Sequence, residues 1–175
     1  PALLPGAIEG DSSDELVAVH APPLDDGVTG DDAQLHALIK VRMKAAAMRR
    51  ARLGLPGADT TAFRLVNSEG DGLPGLIVDI YGDTAAVQFT AMGMKRCEDA
   101  VVAGLQGLAT PSPDTTAAPL RLQAIAEVGG GSFSQIEGFT SQTRILWGNP
   151  DRLRGVPCRE NGIELRVDLE QGQKT

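Results

Sequence analysis

Between Phe63 and Asp83 the chain reads Phe-Arg-Leu-Val-Asn-Ser-Glu-Gly-Asp-Gly-Leu-Pro-Gly-Leu-Ile-Val-Asp-Ile-Tyr-Gly-Asp, and no other stretch restricts the fold as much. Glu69 to Gly75 holds three glycines, one proline and two carboxylates, and an apolar, β-branched run follows. Glycine accepts positive φ, while Pro74 fixes its own φ and drives Leu73 towards extended geometry. The pattern predicts a strand over 63–67, a tight polar turn and a second strand over 75–81. Gly82-Asp83 then predicts a two-residue hairpin into an antiparallel third strand, 84–90.

A basic amphipathic helix is predicted upstream, over 31–53. Asp31 suits its N-cap, Asp32 its positive end, and Gly54 with Pro56 its stop. Leu35, Leu38, Ile39, Met43, Ala46, Ala47 and Leu53 give an apolar stripe, and Lys40, Arg42, Lys44, Arg49, Arg50 and Arg52 crowd the second half. Downstream, Val101, Val102 and Leu105, with Leu108 a turn later, predict a helix over 94–108. Ala109 to Pro119 reads as a loop, and Leu120 to Glu127 alternates weakly as a strand until Gly129-Gly130-Gly131 breaks it. Asn161-Gly162 predicts a last hairpin between 155–160 and 163–169. The sum is an α+β fold: a small β-β-α-β-β domain on a mostly antiparallel sheet, with the basic helix leading into it. Three segments follow: an acidic, loop-rich 1–30, a linker helix in 31–57, and the α+β domain in 58–175.

A chain of 175 residues suits one domain with an appendage. Only six residues are aromatic, so its core must come from Leu, Val, Ile and Ala. No apolar run approaches the roughly 18–20 residues that a membrane span needs. The start at Pro1, without Met or a basic-then-apolar leader, suggests processing or an excised fragment and leaves any targeting peptide unseen. The net charge of −7 is unevenly distributed. Residues 1–32 hold eight acidic residues and no Lys or Arg, whereas the remainder has sixteen basic and fifteen acidic residues. Global acidity therefore does not exclude a local cationic surface. Cys97 and Cys158 have no paired spacing and read as free thiols, and no His/Cys cluster has the spacing of a metal site.

Four motifs invite chemistry. Gly70-Asp71-Gly72-Leu73-Pro74-Gly75 has the glycines of a phosphate loop, but it leads into a strand and carries carboxylates where phosphate would sit. Glu69 and Asp71 suit acceptance of backbone N–H bonds within the turn; an acid–base pair, a cation site, or pairing with Arg64 are the alternatives. Arg64, Glu69, Asp71, Gly72, Pro74 and Gly75 are thus expected as a structural turn. Pro157-Cys158 superficially matches a nucleophilic cysteine but precedes a β-turn, and Cys97, beside Lys95 and Arg96, is expected to pack in a helix with its pKa lowered by those cations. The basic helix is either a solvated face or a contact to an RNA backbone. No catalytic residue emerges.

The turn segment resembles the ribosomal RNA large-subunit methyltransferase I family, most strongly over Arg64 to Gln88. The resemblance returns at Ile145-Leu146-Trp147-Gly148, at Glu160-Asn161-Gly162 and over Val167 to Thr175. Members methylate C5 of a cytosine with S-adenosylmethionine and carry an N-terminal PUA domain, a central β-β-α-β-β domain and a C-terminal Rossmann-like catalytic domain. The resemblance implies that residues 31–175 are the linker helix and central domain, with 1–30 a remnant of a PUA domain. It implies that Gly172-Gln173-Lys174-Thr175 leads into a catalytic domain absent from this chain, so that Gln173 and Lys174 lie near cofactor or RNA. Lys40, Lys44, Arg49, Arg50 and Arg52 become the expected RNA contacts, with ribosomal RNA and the downstream domain as partners. This chain alone is then expected to bind no cofactor and to be inactive. Between Glu127 and Arg144 the sequence departs from the family's Arg-rich run. A free-standing RNA- or protein-binding module is the alternative function. Location follows the family as cytoplasmic, or an organelle if a targeting peptide was removed; nothing in the sequence fixes an oligomeric state.

Overall fold

The computed structural model describes residues 30–110, 119–129 and 136–171. A long helix, α1 (Gly30–Arg52), precedes strand β1 (Ala62–Asn67), a 3-10 turn (Ser68–Asp71) and strands β2 (Leu76–Tyr81) and β3 (Thr84–Phe89). Helices α2 (Met92–Lys95) and α3 (Glu98–Ala109) lead to β4 (Ala124–Glu127), β5 (Arg144–Gly148), a second 3-10 turn (Pro150–Leu153), β6 (Val156–Glu160) and β7 (Ile163–Val167). The fold is mixed α and β on a mostly antiparallel sheet, with the helix at its N-terminal side.

Strands β1 to β5 form one sheet in sequence order. Every neighbouring pair is antiparallel except β3 and β4, which run parallel. A parallel pair needs a crossover, and α2–α3 supply it. Strands β2 to β5 with that crossover make the β-β-α-β-β unit, and β1 adds a fifth strand at the edge.

Period-two alternation sends Leu76, Val78 and Ile80 of β2, with Ala85, Val87 and Phe89 of β3, to one face. There they meet Ile39, Met43, Ala46 and Ala47 of α1 and Ala100, Val101 and Leu105 of α3. The two helices touch closely because Gly104 has no side chain: a Cβ there would stand 2.7 Å from Met43 Sδ. On the opposite face Ala86 and Ala126 pack beneath Val156, Val128 and Leu169, a smaller apolar cluster. The sheet is therefore covered by helices on one side and by the β6–β7 hairpin on the other.

The two hairpin turns follow their local chemistry. Asn161 and Gly162 both have positive φ, 50° and 81°, as a primed turn requires. Gly82 turns β2 into β3 at φ +57°, and a Cβ there would lie 2.3 Å from the Pro157 carbonyl oxygen, so this glycine also lets the second hairpin approach the first.

Four expectations need correction. Helix α1 already includes Gly30, which puts Asp31 inside the first turn and not at the cap. The single helix over 94–108 is two, α2 and α3, separated at Arg96–Cys97. The strand over 120–127 is regular only from Ala124, because Leu120 N–H is drawn to Leu108 O and Gln123 N–H to Asp83 O. The last hairpin does not complete the main sheet; it forms a two-stranded sheet of its own, and the place beside β4 goes to β5, which the sequence pattern had not marked as a strand.

Candidate nucleic-acid interface

The basic half of α1 lies along the Glu69–Gly75 turn, and part of its charge is used there. Asp71 is buried, with 3% of its side chain exposed. Arg49 Nη2 and Arg50 Nη1 donate to its Oδ1 at 2.6 Å each, and Arg50 Nη2 donates to Oδ2 at 2.7 Å. Asn67 N–H also donates to Oδ2, at 2.6 Å, which closes the 3-10 turn. Burial pushes the Asp71 carboxyl up, and the hydrogen bonds from Arg50, Arg49 and Asn67 outweigh that and hold it at about 2. Arg50 Nε reaches on to the carbonyl of Arg64 at 2.9 Å.

Glycine geometry completes the turn. Gly72 sits at φ +69°, where a Cβ would stand 3.1 Å from Arg42 Nη1, and Gly75 at φ +81°, where it would stand 2.6 Å from Ala91 Cβ. Pro74 is exposed between them, and Gly75 N–H donates to Ser68 Oγ at 3.0 Å. Glu69 is exposed; its own backbone N–H and the Ser68 side chain lower its pKa. Asp71 accepts a backbone N–H within the turn, as first expected, and the alternative partnership of Arg64 with Glu69 or Asp71 does not form. The β1–β2 register sets Arg64 opposite Asp79, and Arg64 binds it through Nε–Oδ1 at 2.8 Å and Nη2–Oδ2 at 3.2 Å.

Of the expected RNA-facing cations, Arg49 and Arg50 are thus joined to Asp71, and Arg50 keeps only 15% of its side chain exposed. Lys40, Lys44 and Arg52 make no ion pair among the described residues. Lys40 and Arg52 are exposed, and Lys44 is partly so. Arg42, which is exposed and likewise makes no ion pair among the described residues, adds to these three in the cationic surface left on α1. Gln173 and Lys174 lie outside the described residues.

A second ionic cluster was not foreseen. Glu127 on β4 is 1% exposed and is held by Lys95 Nζ at 2.8 Å and Arg144 Nε at 3.0 Å. Both cations also bind Glu98, at 2.6 and 2.7 Å. The cluster ties the crossover helices to β4 and β5. A glutamate ending β4 and a lysine ending α2 give no sign of pairing across 32 residues.

Both cysteines are free and buried. Burial raises the Cys97 thiol, with the Asp32 charge adding to it, so the lowering expected from Lys95 and Arg96 is overturned; Lys95 points instead to Glu98 and Glu127. Burial raises the Cys158 thiol also, with Glu160 adding to it. Neither has the depressed pKa of an activated nucleophile. Among the described residues no group of three or more His, Cys, Asp or Glu is placed to hold a metal. No described helix is long and apolar enough to cross a membrane. The glycine turn runs into β2 and presents its buried carboxylate to arginines, so this turn does not fit an S-adenosylmethionine pocket.

The fold superposes on SMU.776 complexed with SAH with a TM-score of 0.59 and 20% identity, covering 79% of this chain and 31% of that one. It matches equally, at 0.59 and 21%, a Streptococcus mutans protein assigned as a SAM-dependent methyltransferase. Likeness at that identity establishes the fold. The sequence carries the kinship further: 34% identity over 134 residues to ribosomal RNA large subunit methyltransferase I of Alteromonas mediterranea covers 77% of this chain. The Aliivibrio fischeri protein of the same name is 31% identical over 115 residues, and that of Photobacterium profundum 31% over 138. This chain is a relative of the ribosomal RNA large subunit methyltransferase I proteins. It spans 26–30% of the length of these relatives. No family model matches it.

Proposed function

We propose that this chain is a non-catalytic part of an S-adenosylmethionine-dependent ribosomal RNA cytosine-5 methyltransferase, and that it positions RNA relative to the catalytic domain. The observation that carries this is the Asp71 clamp. Arg49 and Arg50 fasten α1 to the turn between β1 and β2, so the helix and the sheet move as one body. A helix fixed in this way presents Lys40, Lys44 and Arg52 in a set direction, as a phosphate-contacting surface needs. S-adenosylmethionine would be held by the rest of the protein, together with the cysteine nucleophile that C5 chemistry requires.

The test is direct. The 175 residues, given labelled S-adenosylmethionine and ribosomal RNA, should incorporate no methyl group while retaining RNA on a filter at low salt. Methyl incorporation by this chain alone would show that it contains the catalytic machinery and would end the positioning account.

A further inference from the structure

Between α1, α3 and the end of the sheet lies a cavity of about 240 Å³. Its walls are apolar, with Ala47, Phe63, Leu65, Leu108 and Leu120 among them, and Lys40 and Lys44 also line it. Among the described residues no carboxylate lines it, and the one further cation, Arg50, is already turned to Asp71 and the Arg64 carbonyl. The two lysines are one helical turn apart, roughly 5–6 Å between their Cβ atoms, so both can serve one ligand. Two glycines of α3 shape the opposite wall. Gly104 is needed for the contact with Met43, but a Cβ on Gly107 would meet no atom of the described residues within 4 Å. A helical glycine without a packing reason costs up to about 1 kcal/mol against alanine. At Gly107 what it leaves is open space in the cavity wall.

We propose that this cavity takes one unstacked base of single-stranded RNA, with the adjoining phosphates on Lys40 and Lys44. The proposal rests on the assignment of α1 as an RNA-contacting helix and adds to it a site for the base. An apolar slot with a cationic rim suits a nucleotide, whose ring faces are apolar and whose backbone is anionic. The room is enough for one ring system and too little for a helix or an extended peptide, and a rim whose described charged residues are cations selects an anion.

A short single-stranded RNA of stacked adenines with one central 2-aminopurine tests the proposal, because that base brightens when it leaves the stack. Binding to the unaltered chain should raise its fluorescence. Gly107→Leu fills the open wall; it should abolish the rise and weaken binding roughly tenfold, the loss of about one base contact, while the dependence of affinity on salt stays the same. Gly107→Ala leaves the cavity open and should keep the rise. Both replacements are better helix formers than glycine, so neither should lower the thermal midpoint. The double variant Lys40→Ala, Lys44→Ala should reduce the salt slope by about 1.4. Salt-dependent binding without a fluorescence rise, or a rise that survives Gly107→Leu, would overturn the base site alone. Absence of RNA binding at low salt would instead remove the assignment of α1 and the base site with it.

Discussion

Asp71 is the residue on which the α1–sheet junction turns. Its carboxyl lies at about 2 in the fold, against about 3.9 in an unfolded chain, so its ionisation contributes roughly 2 kcal/mol to stability. A depressed carboxyl stabilises fully above the unfolded pKa and loses its effect as the pH falls through the folded one. The contribution should therefore fade between about pH 4 and pH 2. Asp71→Asn should cost about 2 kcal/mol in urea unfolding at pH 7, and the gap to the unaltered chain should close towards pH 2. A gap that is the same at both pH values would show that Asp71 does not act through its charge. The glycines of the same turn make a paired prediction. Gly75→Ala meets both a positive φ and Ala91 Cβ at 2.6 Å, and should lower stability by more than about 1 kcal/mol. At Gly70 no positive φ arises and the nearest atom to a Cβ, Asn67 Nδ2, is 3.4 Å away, so Gly70→Ala should be neutral or slightly stabilising in the same thermal scan.

At the scale of elements, the crossover is secured by Glu127. Glu127→Ala removes the shared acceptor of Lys95 and Arg144 and leaves their charges with Glu98 alone. The expected cost is about 3 kcal/mol, the lower end for breaking a buried pair. Hydrogen exchange should locate the loss in β4 and β5 and spare the β6–β7 hairpin, which belongs to another sheet; uniform loss of protection would contradict this placement. The same elements show what could be read from sequence. Asn161-Gly162 and Gly82-Asp83 announced their hairpins because the turn chemistry is contained within two residues. Leu76 to Tyr81 announced a strand for the same local reason. Strand β5 did not, since Arg144-Ile145-Leu146-Trp147-Gly148 has no period-two alternation. The break between α2 and α3 has neither Gly nor Pro at Arg96–Cys97 to mark it. The partners of Asp71 lie 21 and 22 residues away, and those of Glu127 are 32 and 17 residues off. Such pairs depend on how the helices pack on the sheet, which composition and periodicity do not encode. The basic helix was legible as a whole, but which of its cations stay free was not.

For the molecule as a whole, a clamped helix, cations left unpaired on its surface and kinship with ribosomal RNA methyltransferases support the proposed role, holding RNA for a catalytic domain. That role requires RNA affinity that belongs to this chain and needs no cofactor. The measurement that tests it most directly is the affinity of the isolated chain for a ribosomal RNA fragment across a salt series, with and without S-adenosylmethionine. The account predicts binding at low salt, unchanged by S-adenosylmethionine, with a log–log slope that falls by about 2 when Lys40, Lys44 and Arg52 are all replaced by alanine, at roughly 0.7 per phosphate contact. Binding that appears only with the cofactor, or a slope indifferent to those three residues, would contradict it.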